Sequence, residues 1–232
     1  MRQTRPQGAD AYWERTQAVL AAVHREAWPD VVQAGAWVAD TLLAGRRILA
    51  FGTGHSHVLA EELYARAGGL EAIEAILEPS LMLHEGPLKS SAFERLRDLG
   101  RVIWQQRARG AGRGDLVLIF SNSGRNPVPV EFAMAARADG VRVVAVTSLQ
   151  HSRSQRPYVE GMPKLFEVAD LVIDNGGVPG DAALPVDDLT AVGATSTVSG
   201  ALIAQAVVCE AVARMTRAGS PPAILRSYNV EV

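Results

Sequence analysis

The feature that most constrains this chain is a unit that occurs twice: a short apolar run, a turn rich in glycine and hydroxyl groups, and a stretch with helical apolar spacing. An apolar run that stops at glycine predicts a buried strand, and the 3.6-residue spacing after it predicts a helix packed on that strand. The strand, turn and helix cover residues 48–51, 52–54 and 59–67 in the first unit, and 116–120, 121–126 and 130–138 in the second.

Three further apolar runs extend the pattern. They predict strands at residues 72–77, 141–146 and 170–174, with a helix at 93–107 between the first two units. Strands that alternate with helices favour a parallel sheet covered by helices on both faces. The predicted fold class is therefore α/β, a three-layer, doubly wound, five-stranded parallel sheet of the flavodoxin-like type with extra N-terminal helices.

The ends of the chain lie outside this alternating pattern. Helical spacing covers residues 12–27 and 31–43, with Pro29 between the two helices and Asp30 as the expected N-cap of the second. A last long helix is predicted at 196–216, and residues 175–192 read as a long loop of the kind that often shapes a site. We expect an N-terminal helical extension (1–29), one main domain (30–217) and a C-terminal tail (218–232).

Composition excludes several classes of protein. Hydrophobic residues make up 48% of the 232 residues, which argues against a disordered chain, and the net charge of −2 without basic blocks argues against a nucleic-acid surface. No apolar stretch was expected to reach membrane-spanning length, and the polar segment 1–10 is untypical of a signal peptide. Cys209 is the single cysteine and is expected in the core. We expect a soluble cytoplasmic protein with no nucleic-acid or membrane partner.

The two turns carry the chemistry. Ligands of an open parallel sheet bind beyond the carboxyl ends of its strands, and a helix that starts there offers free N–H groups and partial positive charge. Hydroxyls of Ser56, Ser121 and Ser123 would add donors, and Thr147-Ser148 follows the fourth predicted strand. This arrangement predicts an anion site, although a turn that needs only glycine geometry and helix capping would use the same residue types.

Other glycine-rich motifs do not fit. His57 stands where a dinucleotide-binding fingerprint needs its third glycine, and no Gly-Lys-Ser/Thr of a P-loop is present. Ser121 occupies the first glycine position of a nucleophile elbow centred on Ser123. An NAD enzyme, an NTPase and a serine hydrolase are all disfavoured.

The runs 51–56, 116–124 and 140–148 resemble those of a SIS (sugar isomerase) domain, over roughly residues 30–215. Local sequences at 55–57, 123–126 and 180–182 are most similar to a stand-alone bacterial branch of phosphosugar-binding proteins. The resemblance implies phosphosugar binding without a cofactor, in a homodimer or homotetramer. Arg125 and Asn126 depart from the Glu-Thr pair found in many members, and Arg125 is either a phosphate ligand or a solvated arginine. The candidate phosphosugar-binding residues are Gly54, His55, Ser56, Ser121, Asn122, Ser123, Gly124, Arg125, Thr147 and Ser148.

Proton transfer between adjacent sugar carbons needs an acid–base group. Glu62, on the helix after the first turn, is the candidate base, and His84 lies in an irregular segment that could cover the site. Either could equally be a solvated surface group. His55, His57 and Glu61 do not complete the three or four ligands of a metal site, so no metal is expected. The favoured activity is phosphosugar isomerisation; a non-catalytic phosphosugar sensor and a sugar-phosphate ether lyase stay open.

Overall fold

The computed structural model describes residues 8–230. Residues 1–7 and 231–232, which belong to the predicted N-terminal extension and C-terminal tail, lie outside the described residues. The helices are α1 Ala9–Glu26, α2 Trp28–Leu43, α3 His57–Leu63, α4 Pro87–Phe93, α5 Leu99–Arg107, α6 Pro127–Ala138, α7 Leu149–Ser154, α8 Leu165–Val168 and α9 Ser196–Arg217. The strands are β1 Ile48–Gly52, β2 Ile73–Ile76, β3 Leu116–Phe120, β4 Arg142–Thr147, β5 Leu171–Asp174, β6 Ala182–Pro185 and β7 Ala191–Ala194.

The first five strands form one parallel sheet in the order β2-β1-β3-β4-β5. The predicted five-stranded parallel sheet is thereby confirmed. β1 and β3 are fully buried, which explains why they read as unbroken apolar runs rather than alternating ones. Because β1 is flanked by β2 and β3, the winding direction reverses between β1 and β3, and a crevice opens there beyond the strand ends.

Two apolar clusters lie on opposite faces of the sheet. One joins α2, α3 and α9 to the sheet through residues such as Val38, Leu63 and Val207. The other joins α5, α6 and α8 to the opposite face, where Phe51 stacks on Phe132 with ring centroids 4.0 Å apart. Both faces of a five-stranded sheet are thus covered, as the three-layer prediction requires.

Backbone geometry corrects two predicted helices. The helix expected at 59–67 ends at Leu63, because Tyr64 is extended and Ala65 adopts a left-handed φ of 51°. The helix expected at 93–107 begins only at Leu99, as α5, because residues 94–98 after α4 are not helical and Asp98 has φ 66°. A left-handed residue cannot continue a right-handed helix, and nothing in the apolar spacing signals it.

Other local predictions also change. α2 begins at Trp28 with Pro29 in its first turn, so Ala27 rather than Asp30 is the N-cap. The predicted long loop at 175–192 contains the antiparallel pair β6–β7. Cys209 is exposed on α9 rather than part of the core.

α9 is long and apolar enough to cross a membrane by length and composition. The expectation that no segment reaches this length is wrong for this helix. Its apolar face, which includes Ile203, Val207 and Ala211, is buried against α2, α3 and the sheet. Helices that pack in a protein core often have this length and apolar composition.

Candidate functional site

A polar cleft of about 280 Å³ opens at the carboxyl edge of the sheet, between the segments that follow β1 and β3. Four segments contribute to it: the turn after β1, the end of α4, the turn after β3, and the region where α7, the β6–β7 hairpin and α9 meet. The lining residues are Thr53, Gly54, His55, Ser56, Leu83, Ser90, Ser91, Glu94, Ser121, Asn122, Ser123, Asn126, His151, Asp181 and Ser196.

The turn after β3 is held in shape by its own polar groups. Gly124 has φ +56°, and a Cβ there would come within 3.0 Å of Thr147 Oγ1, so glycine is required both by conformation and by space. The N–H of Gly124 donates to Ser121 Oγ at 3.3 Å, and Asn175 Nδ2 donates to Asn122 Oδ1 at 3.0 Å. These bonds leave the Ser123 hydroxyl without a partner among the described residues.

The turn after β1 is a single 3-10 turn, Gly54–Ser56, that leads into α3. A side chain at Gly52 would overlap the carbonyl of Ser56, so the chain can fold back here only because residue 52 is glycine. His57 lies buried beneath the turn, where its Nδ1 contacts the Gly54 carbonyl and its Nε2 lies 3.5 Å from Glu61 Oε1. His57 therefore supports the turn and does not line the cleft.

Glu94 is the residue that sequence reasoning missed. It caps the end of α4 and projects a carboxylate into the cleft, where its side chain is 15% exposed. Thr53 Oγ1 donates to its Oε2 at 3.1 Å, and Arg95 Nη1 lies 3.3 Å from Oε1. Burial raises the pKa of Glu94 above the ordinary value, while hydrogen bonds from Thr53 and Asn126 and the charge of Arg95 partly oppose the shift.

His151 and Asp181 occupy the other end of the cleft. His151 lies in α7, and its backbone N–H donates to Ser148 Oγ at 3.1 Å. The pKa of His151 is lowered, mainly by burial; the charge of Asp181 opposes this shift and the charge of Arg125 adds to it. Asp181, with φ 69°, accepts hydrogen bonds from the N–H groups of Thr195 (3.2 Å) and Ser196 (2.9 Å) and from Ser196 Oγ (2.5 Å). It therefore caps the start of α9 from the cleft side.

The cleft thus has two unlike walls. The residues of the turn wall are Gly54, His55, Ser56, Ser121, Asn122 and Ser123, and those of the acid–base wall are Glu94, His151 and Asp181. Among the residues that line the cleft there is no lysine or arginine. An anion would therefore be bound by hydroxyls, backbone amides and helix starts rather than by an ion pair.

Six of the ten candidate binding residues line the cleft, and all six belong to the turn wall. The other four, Gly124, Arg125, Thr147 and Ser148, lie behind or beside it. Thr147 and Ser148 are fully buried, with hydroxyls that donate to the carbonyls of Asn122 (3.2 Å) and Gly177 (2.6 Å). The Arg125 guanidinium lies over the ring of Tyr158, 5.8 Å from its centroid.

Neither candidate catalytic residue lines the cleft. The carboxylate of Glu62 pairs with Arg66 and accepts a hydrogen bond from Gln205 Nε2 at 2.9 Å, on the side of α3 that faces α9. His84 is exposed and its ring lies edge-on to His57, with centroids 5.9 Å apart. Within residues 8–230, no three His, Cys, Asp or Glu side chains are arranged to hold a metal ion.

The sequence profile of the SIS domain matches residues 11–148, which include β1, β3 and both turns of the cleft. The chain belongs to the SIS domain family. Its relatives include a UPF0309 protein of Halalkalibacterium halodurans, 38% identical over 92% of this chain and 88% of the relative. Another, of Listeria innocua, is 43% identical over 87% of this chain and 81% of the relative.

Solved structures share the fold of this SIS protein at low sequence identity. The phosphoheptose isomerase of Francisella tularensis superposes with a TM-score of 0.60 at 15% identity, and that of Neisseria gonorrhoeae with 0.59 at 20%. Each comparison covers 87% of this chain and 95% of the isomerase. The NanR protein of Vibrio vulnificus, solved in complex with ManNAc-6P, reaches 0.56 at 17% identity over 90% of this chain and 63% of NanR. At these identities the likeness is one of fold.

Proposed function

We propose that this SIS protein binds a phosphosugar in the cleft and isomerises it by carboxylate-mediated proton transfer between adjacent carbons. One observation carries the proposal: the two hydroxyl-rich turns, distant in sequence, line one cleft, and the largely buried carboxylate of Glu94 projects into the same cleft beside them. The turns suit a phosphate and the carboxylate suits a proton transfer.

The turn wall would hold the phosphate by hydrogen bonds alone. Ser56 and Ser123 have hydroxyls with no partner among the described residues, and α6 begins at Pro127, directly after the second turn. A helix start favours an anion by about 0.3–1 kcal/mol, and each hydrogen bond to a charged group adds about 1.5–3 kcal/mol. Fixing the phosphate at this wall would place the sugar carbons toward the acid–base wall.

Glu94 is the base that we propose, in place of Glu62. A general base works best when its pKa approaches the working pH, and burial shifts the pKa of Glu94 in that direction. Its carboxylate would take a proton from the carbon next to the sugar carbonyl, giving an enediol-like state, and return it to the neighbouring carbon. Glu62 already has Arg66 and Gln205 as partners, which keeps it occupied outside the cleft.

The structural neighbours support this choice of substrate class. Two of them are phosphoheptose isomerases, and a third was solved with ManNAc-6P bound. We accordingly propose an aldose, ketose or amino-sugar phosphate as the ligand. One alternative is a sensor that binds such a ligand without turning it over, for which the turn wall alone would suffice. An ether lyase would use the same two walls.

The experiment that tests the function is a panel of hexose, heptose and N-acetylhexosamine phosphates, followed by NMR in deuterated water. Isomerisation predicts deuterium incorporation at C2 together with formation of the isomer. Binding without exchange would favour the sensor, and loss of the C3 substituent would favour the lyase. Absence of binding by every sugar phosphate would overturn the proposal.

We also propose the organisation expected from sequence: residues 1–29 as a helical extension, 30–217 as the SIS domain and 218–232 as a tail, in a cytoplasmic homodimer or homotetramer that needs no cofactor. The exposed Trp13 of α1 supports contact with a second subunit, because a large aromatic ring seldom stays in water. Light scattering of the purified protein would measure the assembly.

A further inference from the structure

His151 belongs to the cleft but has no part in binding phosphate at the turn wall. It lines the end formed by α7, the β6–β7 hairpin and the start of α9, together with Asp181 and Ser196. Two of these segments are held together by the carboxylate of Asp181, which precedes β6 and accepts hydrogen bonds from Thr195 and Ser196 at the start of α9. A non-glycine residue at φ 69° is a conformation that Asp tolerates but most residues avoid, so this placement is specific.

One edge of the His151 imidazole is buried, and the other is open to the cleft. Its Nδ1 is buried without a hydrogen-bond partner, and α7 is anchored by Ser148, whose hydroxyl accepts from the His151 N–H and donates to Gly177. A buried acceptor without a partner costs less than a buried N–H without one, so the ring proton belongs on Nε2. Nε2 is also the ring nitrogen that is not buried, and it is therefore the one that a ligand in the cleft can meet.

We infer that His151 is the second acid–base residue of the cleft, with its Nε2–H directed to the oxygens of the sugar and Asp181 as a neighbour in the lining of the cleft. The inference rests on the proposed function, since it names the group that acts on the sugar oxygens while Glu94 acts on the carbons. Burial keeps the ring neutral, and a neutral imidazole is an effective donor to a carbonyl that becomes an enediol.

The protons balance in this scheme. Glu94 takes the proton from C2, the C–H electron pair becomes the C1=C2 double bond, and O1 takes the proton of Nε2 as the carbonyl opens. The ring then takes the proton of the O2 hydroxyl, O2 becomes the new carbonyl, and Glu94 returns its proton to C1. His151 thereby moves one proton from O2 to O1, and neither residue is changed at the end.

Selective labelling of the histidine rings tests the placement directly, because the chain has five histidines and their NMR signals are assignable by substitution. His55 lies in the turn wall and reports binding there, whereas His24 is exposed on α1 and serves as the reference that does not shift. Inorganic phosphate is expected to shift the His55 signal alone. A hexose or heptose phosphate is expected to shift the signals of both His55 and His151. Neither ligand is expected to shift the signal of His24.

Kinetics provide the second measurement. His151→Gln retains a donor near Nε2 but cannot relay a proton, so kcat is expected to fall about 100- to 10,000-fold while KM changes less than about threefold. His24→Gln is the matched control and should behave as the parent protein. In Asp181→Asn the capping acceptor is kept and the charge removed, so the midpoint of the His151 NMR titration should fall, because the charge of Arg125, which also lowers it, is then unopposed.

The two proposals fail in different ways. Sugar phosphates that shift His55 but not His151, with full turnover by His151→Gln, would overturn this inference and leave the proposed function intact. A sugar phosphate that shifts no histidine and is not turned over by the parent protein would overturn the proposed function itself.

Discussion

The two walls of the cleft differ in how they are built. Each turn of the turn wall is contiguous in sequence, directly follows a buried strand and contributes hydroxyls and backbone groups. The acid–base wall takes one residue each from α4, α7 and the β6–β7 hairpin, and all three are ionisable. The turn wall is thus shaped by the backbone, whereas the acid–base wall depends on how distant segments pack.

This difference separates binding from chemistry. Hydroxyls and amides hold an anion without changing their charge, so the turn wall can bind a phosphate in either a sensor or an enzyme. A buried carboxylate costs stability unless hydrogen bonds or opposite charges compensate it, and Glu94 has only partial compensation from Thr53 and Asn126. Such a cost is typical of functional sites. Each change below acts mainly on one wall, and the largest expected effect comes first.

Glu94→Gln should abolish turnover and leave binding in place. The amide keeps the shape and the hydrogen bond to Thr53 but cannot take a proton, so the rate should fall about 100- to 10,000-fold. The affinity for the sugar phosphate, measured by calorimetry, should change less than about threefold because the turn wall is untouched.

Glu62→Gln gives the direct comparison, since Glu62 is a glutamate on α3 outside the cleft whereas Glu94 follows α4 and lines the cleft. If Glu62→Gln loses turnover while Glu94→Gln keeps it, the assignment made from sequence is correct and ours is wrong. The pH profile adds a third test. Because the pKa of Glu94 is raised, the acid limb of kcat should lie above the ordinary range of a glutamate.

Substitution of both Ser121 and Ser123 by alanine should act on the turn wall. Removing their hydroxyls is expected to weaken phosphosugar binding about 100-fold or more, because two hydrogen bonds to a charged group are lost at about 1.5–3 kcal/mol each. Titration calorimetry with the best ligand of the panel measures the loss. Ser220→Ala, at an exposed position beyond α9, is the control; equal affinity in both variants would remove the turn wall from the site.

The contrast between the walls also explains what could be predicted from the sequence. The sheet and the turn wall follow from local patterns: unbroken apolar runs at β1 and β3, each closed by glycine and serine. That both turns lie at one edge of the sheet was implied by the same pattern, because parallel strands place their carboxyl ends at one edge. Thr147 and Ser148 show the limit of this reasoning, since they follow β4 as expected but their hydroxyls are used inside the fold.

The acid–base wall had no local signature. Glu94 belongs to the stretch predicted as one helix over 93–107, but it lies in the non-helical segment 94–98 between α4 and α5. Asp181 lies in the stretch 175–192 that was predicted as a long loop, and His151 carried no motif. A backbone break and contacts between segments far apart in sequence decide their positions, and neither is encoded in the spacing of apolar residues.

Gly124→Ala tests how tightly the backbone sets the turn wall. A left-handed non-glycine residue costs about 1–3 kcal/mol, and here a Cβ also approaches Thr147 Oγ1 at 3.0 Å. Gly219→Ala is the matched control, because its φ is +76° but nothing lies within 4 Å of an added Cβ. Urea unfolding should show a larger loss of stability for Gly124→Ala than for Gly219→Ala. Equal losses would mean that the turn relaxes freely.

The smallest effect is the stability that Glu94 itself costs. The pKa of Glu94 is raised in the folded protein. At a pH well below the ordinary pKa of a glutamate, the carboxyl is protonated in both the folded and the unfolded protein, so burial then carries no charge penalty. As pH rises, the unfolded chain ionises first, so stability falls until the pH passes the raised pKa of the folded protein. Glu94→Gln does not titrate and avoids this loss.

Glu94→Gln should therefore be more stable than the parent protein at neutral pH, with the difference disappearing as the pH falls below the ordinary pKa of a glutamate. Urea unfolding across this range measures it. A variant that is less stable at neutral pH would show that Thr53 and Asn126 compensate the charge fully. In that case Glu94 would resemble the turn wall, a set of satisfied hydrogen bonds, and the reason to place the proton transfer on it would weaken.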